Sequence, residues 1–260
     1  MSKLLELKEK LKAVHPVLGT TIVNITWSGL AQVMASFSFD FLVLDGEHGT
    51  LSTESFEEIL RICRLCNLPT VFRIPDALPH LISRALDMGA DGIMIPRVES
   101  LAQVKTAVRA GRYFPRGRKG CGGFSNFRAE DCGSIEAYNN NRLIFVQIES
   151  YEGLAVLPQI LDEYRDEIAC VVIGPYDSSI MVGTPLDITS DTMLKYIRDV
   201  FNVCKSYNIS CGSFVDNADM IPHYKHLGAN VFWTGTDLSL LSECYQNLCN
   251  AFKRYTEGSV

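Results

Sequence analysis

Short apolar runs recur along the chain, each closed by a glycine, proline or polar residue and separated from the next by a segment with helical periodicity. They fall near residues 18–24 and at 41–44, 70–74, 92–96, 143–148, Cys170–Ile173, 209–215 and 230–234. Between them the helical period is clearest at Met193, Leu194, Ile197, Val200, Phe201, Cys204 and Tyr207, with polar residues on the other face. Strand then helix, eight times over, predicts a (β/α)8 TIM barrel occupying residues 1–260 as a single domain. A doubly wound open sheet gives the same alternation but usually follows its first strand with a glycine-rich turn. Asn24-Ile25-Thr26-Trp27 is not such a turn.

Three details refine this reading. Residues 1–10 alternate charge with leucine at helical spacing and predict an extra amphipathic helix ahead of the barrel rather than a signal peptide. Gly89 and Gly228, each followed by alanine, mark helix ends that lead into strands, as left-handed glycine caps do. Residues 111–141 are expected to be irregular, with a basic cluster at Arg116, Arg118 and Lys119, and a connection of that length is usually functional or a lid.

Composition narrows the class of function. The chain is 47% hydrophobic and 21% charged, with no stretch able to span a bilayer. A net charge of -6 argues against nucleic acid and for small metabolites as partners. Nine cysteines scattered through strands and helices fit a reducing cytoplasm better than a secreted disulfide framework.

The candidate chemistry sits where the apolar runs stop, which in a parallel barrel is the one opening where distant residues converge. Asp45-Gly46-Glu47-His48 ends the second run. Gln147 and Glu149 are two apart at the end of the fifth, and so face one side; Asp177 follows the sixth. Two carboxylates on neighbouring strand ends describe a hard-cation site for Mg²⁺ or Mn²⁺, with Co²⁺ or Zn²⁺ as alternatives, although both acids would also serve as helix N-terminal caps. Arg73 offers a guanidinium for a carboxylate or enolate, or a structural ion pair. His48 is placed to act as a general base near neutral pH.

Other signals are weaker. Cys63 and Cys66 lie inside a helix without a second pair, and His223 and His226 lack a third ligand, so both pairs read as packing or surface residues. Residues 117–123 are rich in glycine and cations, lack the end of a P-loop, and would suit steering or covering an anionic substrate. No Gly-x-Ser-x-Gly elbow occurs.

Taken together, Leu44-Asp45-Gly46-Glu47-His48, Phe72-Arg73-Ile74-Pro75, Gln147-Ile148-Glu149 and Ile173-Gly174-Pro175-Tyr176-Asp177 closely resemble the HpcH/HpaI family of metal-dependent (class II) pyruvate aldolases, in order from about Gly19 to Leu241. The resemblance implies aldol cleavage of a 4-hydroxy-2-oxo acid to pyruvate and an aldehyde, with no Schiff-base lysine. It implies a divalent ion on Glu149 and Asp177, Arg73 at the enolate oxygen, and Gln147 nearby. Substrate would be bound along Gly174, Pro175, Tyr176 and Asp177, and by Phe214. His48 would be the base and Asp45 its orienter. Asp87 would reach a neighbouring subunit's site in a homo-oligomer, a hexamer of paired subunits (a trimer of dimers) with exchanged C-terminal helices.

The chain also departs from the family pattern. Ser178-Ser179 follow the aspartate in place of Leu-Ser, the stretch from Cys121 to Arg128 is not the commonest form, and Phe214-Val215-Asp216-Asn217 stand where relatives often carry smaller apolar residues. These changes leave the metal acids intact and fall on the aldehyde side. The alternative is a relative recruited to another enolate condensation, citrate-forming or acyl-CoA-dependent. A barrel acting only as a sensor or scaffold is a third possibility.

Overall fold

The computed structural model describes residues 2–122 and 133–257. In it β1 (Val17–Ile22), β2 (Phe41–Asp45), β3 (Thr70–Arg73), β4 (Gly92–Ile95), β5 (Leu143–Gln147), β6 (Cys170–Ile173), β7 (Cys211–Val215) and β8 (Val231–Thr236) pair in parallel and in chain order. Val17 of β1 lies opposite Val231 of β8, so the sheet closes into a (β/α)8 barrel and the open doubly wound sheet is excluded. Every strand matches an expected run to within about two residues at either end, the usual uncertainty of such boundaries.

The helices are α1 (Lys3–Lys12), α2 (Gly29–Ala35), α3 (Thr53–Leu65), α4 (Pro79–Met88), α5 (Leu101–Gly111) and α6 (Ile135–Asn141). They continue with α7 (Tyr151–Tyr164), α8 (Pro175–Met181), α9 (Asp191–Ser206), α10 (Ile221–Leu227) and α11 (Asp237–Glu257). Gly89 and Gly228 end α4 and α10 at φ +113° and +119°, a region in which an L side chain is strained.

Each strand is buried on both faces. Outward residues such as Leu42, Leu44, Ile93 and Ile144 pack against the helices. Inward residues, including Val17, Phe41, Val43, Val71, Met94, Phe145 and Val172, fill the barrel. Helix α1 completes that inner cluster. Leu4, Leu7 and Leu11 share one of its faces and are buried against the strand starts. Each such leucine contributes about 1.5–3 kcal/mol by leaving water. Ser210 Oγ donates to the Leu11 carbonyl at 2.6 Å, Asn230 Nδ2 to His15 O at 2.9 Å, and Lys10 pairs with Asp40 at 2.5 Å. The N-terminal end of the barrel is thereby closed.

The segment 111–141 is less irregular than expected. Its end forms α6, capped by Ser134 and anchored where Asn139 exchanges hydrogen bonds with the Tyr113 backbone at 2.7 and 3.0 Å. Helix α5 carries the segment away from the C-terminal mouth, so the basic cluster cannot steer substrate at this chain's own opening. Arg116 pairs with Glu167 at 2.7 Å, and Lys119 is buried on Asp87 at 2.5 Å. Residues 123–132, including the stretch from Phe124 to Arg128, lie outside the described residues.

Candidate active site

The C-terminal strand ends bring six charged side chains together. The alternation of β2 turns Phe41, Val43 and Asp45 inward, and Asp45 falls in register with Arg73 at the end of β3. Asp45 accepts two hydrogen bonds from that guanidinium, from Nε at 2.9 Å and Nη2 at 2.5 Å. Burial alone would raise the Asp45 carboxyl, but the Arg73 hydrogen bonds and charge hold it below the usual carboxylate range. Arg73 is held above its ordinary value by the same pairing, against its own burial.

Asp45 is therefore not the orienter of the His48 imidazole. It meets His48 only at the backbone amide, at 3.3 Å, and caps the turn through Glu47 N at 2.9 Å. The His48 ring stands at the mouth with Nε2 3.7 Å from Asp177 Oδ2 and 3.8 Å from Glu47 Oε2.

Glu47 joins the cluster from within the run already noted. Two residues past Asp45, it turns inward with its side chain 8% exposed, its Oε2 3.4 Å from Arg73 Nη1 and its Oε1 3.3 Å from Arg97 Nε. Burial pushes its carboxyl up, against the charges of Arg73, His48 and Arg97. Continued alternation through Gly46 was the signal for it. Arg97 follows β4 as Arg73 ends β3, and a cation at a strand end was the corresponding signal.

Gln147 and Glu149 lie on one side of the β5 end, as their spacing required. Gln147 Nε2 donates to Glu149 Oε1 at 2.7 Å, and Arg97 N–H donates to Glu149 Oε2 at 3.2 Å. Gln147 Oε1 is buried without a donor. The helix-cap reading of Glu149 fails, because Ser150 is the N-cap of α7, accepting from Gly153 N–H at 3.1 Å. Asp177 lies in the first turn of α8, where its carboxylate accepts no hydrogen bond from the described residues and is 41% exposed. Gly174, between β6 and α8, leaves room for the acid beside it. A Cβ there would lie 2.1 Å from Glu149 Oε1.

These carboxylates suit a divalent cation. Among the described residues, Asp45, Glu47, Glu149 and Asp177 oppose Arg73 and Arg97. Burial, followed by the negative charges of Asp177 and Glu47, pushes the Glu149 carboxyl up to about 8. A cation between Glu149 and Asp177 relieves that repulsion. No set of three ligating side chains occurs among the described residues, which leaves further positions to water and substrate oxygens.

Phe214, partly buried, packs edge-on against Trp233 inside the mouth at a centroid distance of 6.2 Å. Tyr176 donates to Asp216 Oδ1 at 2.7 Å across the α8 and β7 rims, and burial together with this bond pushes its phenol up to about 12. Asp87 is not brought to this site. It ends α4 at the opposite pole of the barrel, on Lys119. Burial pushes the Cys63 thiol up, while His223 and His226 are exposed on α10, as packing and surface roles require.

Residues 23–244 match the family described as HpcH/HpaI aldolase/citrate lyase. The chain is 31% identical over 226 residues to a hydroxypyruvate/pyruvate aldolase of Roseovarius nubinhibens, covering 84% of this chain and 87% of that one. It is 30% identical to a 5-keto-4-deoxy-D-glucarate aldolase of Citrobacter koseri, covering 88% and 91%. The crystal structure of an HpcH/HpaI aldolase from Desulfitobacterium hafniense superimposes with a TM-score of 0.86 at 23% identity, covering 95% and 96%, and shares the fold.

Proposed function

The chain belongs to the HpcH/HpaI aldolase/citrate lyase family, and from that premise we propose that it is a class II aldolase cleaving a 4-hydroxy-2-oxo acid to pyruvate and an aldehyde. The observation that carries the reading is the convergence of Glu149, Asp177, Arg73 and His48 on one mouth, with Glu149 displaced from the α7 cap by Ser150 and Asp177, in the first turn of α8, making no capping hydrogen bond among the described residues. Both similar aldolases named above support the same reaction class.

Glu149 and Asp177 would hold the divalent ion, Mg²⁺ or Mn²⁺ being favoured by the oxygen donors. When bound, that ion supplies Lewis-acid polarisation of the 2-oxo group. Backbone amides at the start of α8, around Tyr176 and Asp177, face the substrate carboxylate. Arg73, fixed by Asp45, presents its charge to the oxygen that becomes negative as the carbon-carbon bond breaks. His48 removes the 4-hydroxyl proton, and Glu47 beside Nε2 favours the cation that results. Gln147 holds Glu149 in place through its amide N–H, and its own Oε1 is buried without a donor among the described residues.

The assembly is read as a homo-oligomer, with the hexamer as the expected form. Leu238, Leu241, Tyr245, Leu248, Phe252 and Tyr255 recur at alternating spacings of three and four along α11, and all are 41% exposed or more. Such a heptad seam fits another copy of the chain. Asp87, remote from its own mouth, would then serve a neighbour. A cytoplasmic setting is supported by eight free cysteines among the described residues. No described helix is long and apolar enough to cross a membrane.

The test is pyruvate release from a panel of 4-hydroxy-2-oxo acids after chelation and metal add-back. Metal-restored release is expected, with His48→Ala abolishing it while metal still binds. If no metal restores release and turnover instead requires an acyl-CoA donor, the recruited condensation enzyme replaces this reading.

A further inference from the structure

We infer that α9 and α10 together form a binding site for a phosphate group, on the outer wall of the barrel at the pole opposite the mouth. A cavity of about 220 Å³ opens between the two helices. Along α9, Arg198, Asn202 and Lys205 are spaced by four and three residues, so one helix face presents all three to it. His226 lines it from α10, and Phe201 and Gly228 add apolar wall. Lys205 shortly precedes β7 and Gly228 shortly precedes β8, which puts the cavity at the strand starts. At about 3.3 Å per residue, the length of β8 separates it from the mouth by about 20 Å.

The charge at this place runs against that of the chain, which is -6 overall. Among the described residues no acid lines the cavity. Helix α10 contains none, and on α9 Asp199 is engaged by Lys195 at 2.7 Å. Arg198, Lys205 and His226 make no ion pair with an acid among the described residues. A concave wall of one sign of charge gathers counter-ions. Helix dipoles account for part of the set, since Lys205 and His226 lie in the last turns of α9 and α10, where cations complement the orphan carbonyls. Arg198 stands two turns earlier, beyond the reach of that effect, and its place in the wall is what a bound anion explains.

Size and donors together set the class of ligand. Sites for whole small molecules usually run to about 300–1,000 Å³, so a cavity of 220 Å³ suits a compact anion. One guanidinium fork satisfies a carboxylate, whereas a phosphate offers at least three oxygens to donors arriving from different directions. Arg198, Lys205, Asn202 and His226 supply a fork, an ammonium, an amide and an imidazole N–H. Free phosphate and the phosphoryl group of a small metabolite share this chemistry, and the test separates them.

The test is calorimetric titration of the full-length protein with inorganic phosphate and, separately, with glycerol 3-phosphate, in Mg²⁺ and excess pyruvate so that the mouth is occupied. The wild type is expected to bind one phosphate per chain more tightly than about 1 mM. Arg198→Gln combined with Lys205→Gln should weaken binding by about tenfold or more, the scale of a lost charged contact. Asn202→Asp, which puts an acid into the wall, should do the same. Tighter binding of the ester identifies a phosphorylated metabolite as the ligand, and equal or weaker binding identifies free phosphate. No binding in the millimolar range, or binding undiminished in either variant, overturns the assignment and leaves these cations as complements of the helix ends. Because wild type and variants differ only at the cavity, the result stands apart from the reaction at the mouth.

Discussion

Asp45 clasps Arg73 across the β2–β3 register, with both carboxylate oxygens on one guanidinium at 2.9 and 2.5 Å. The pair fixes the direction of the Arg73 guanidinium, the cation proposed to face the reacting oxygens. Its bidentate partner comes from a strand pairing, while Glu47 adds a second acid from the turn beyond β2.

Replacing Asp45 by Asn should let Arg73 turn toward Glu47 and lower kcat by about 10²–10³, the usual cost of misplacing one electrostatic donor. Metal affinity, read by calorimetry, should stay close to wild type. The carboxyl also carries a pH signature. Its folded value lies below the unfolded one near 4, so its stabilisation is complete above about pH 4 and is lost as pH falls through the lower folded value. Melting temperatures in acid should therefore decline less steeply in Asp45→Asn than in wild type. Equal slopes would show that the pair adds nothing to folding.

Glu149 behaves in the opposite sense. Its folded value, about 8, is raised above an unfolded value of about 4.3. Between these values the metal-free folded protein binds the extra proton, so its stability should fall as pH rises through this window. Adding Mg²⁺ should abolish the slope and release close to one proton per ion at neutral pH. Calorimetry in two buffers of different ionisation enthalpy measures that proton directly, and none released would place the ion elsewhere.

Gly174→Ala tests the packing of the same acid. The added Cβ, 2.1 Å from Glu149 Oε1 and 3.0 Å from Gln147 Nε2, must push the carboxylate aside. Metal affinity should drop by about 10–100-fold with little change in far-ultraviolet circular dichroism. Unchanged affinity would mean that β6 yields instead of Glu149.

The seam on α11 and the placement of Asp87 make one joint prediction. Leu241→Asp with Leu248→Asp should reduce the particle to a smaller species in sedimentation and remove activity. Mixing inactive Asp87→Ala with inactive Glu149→Gln subunits should restore about a quarter of wild-type activity in a symmetric assembly where sites are shared. No recovery after verified subunit exchange would confine Asp87 to its own chain, as the partner of Lys119.

Much of this architecture was visible in the residues, for a physical reason. Strands buried on both faces must be apolar throughout, so the runs ending at Asp45, Arg73, Gln147 and Ile173 announced themselves, and the Gly89 and Gly228 caps set their spacing. Gln147 and Glu149 were legible because a two-residue period admits only one shared side. The partner of Asp45 was not, because whether an acid meets His48 or Arg73 depends on register across a gap of 28 residues. Helix α6 was hidden by its polar composition, Tyr-Asn-Asn-Asn, which only the Asn139 contacts with Tyr113 make worth ordering. Arg97 passed unnoticed because a cation just past a strand end does not by itself reveal that an acid from the next strand holds its backbone amide.

The leucine face of α1 sets a timetable for folding. Leu4, Leu7 and Leu11 are synthesised before the surface that receives them, which is assembled from Val17 through Val231 and Trp233. At about 5–20 residues per second, some 10–45 seconds separate the synthesis of Leu4 from that of Val231. Through that interval the apolar face of α1 lacks part of its native berth, which is complete only once β8 is in place. Until then the three leucines present an uncovered apolar face, the surface that a chaperone sheltering this helix would cover.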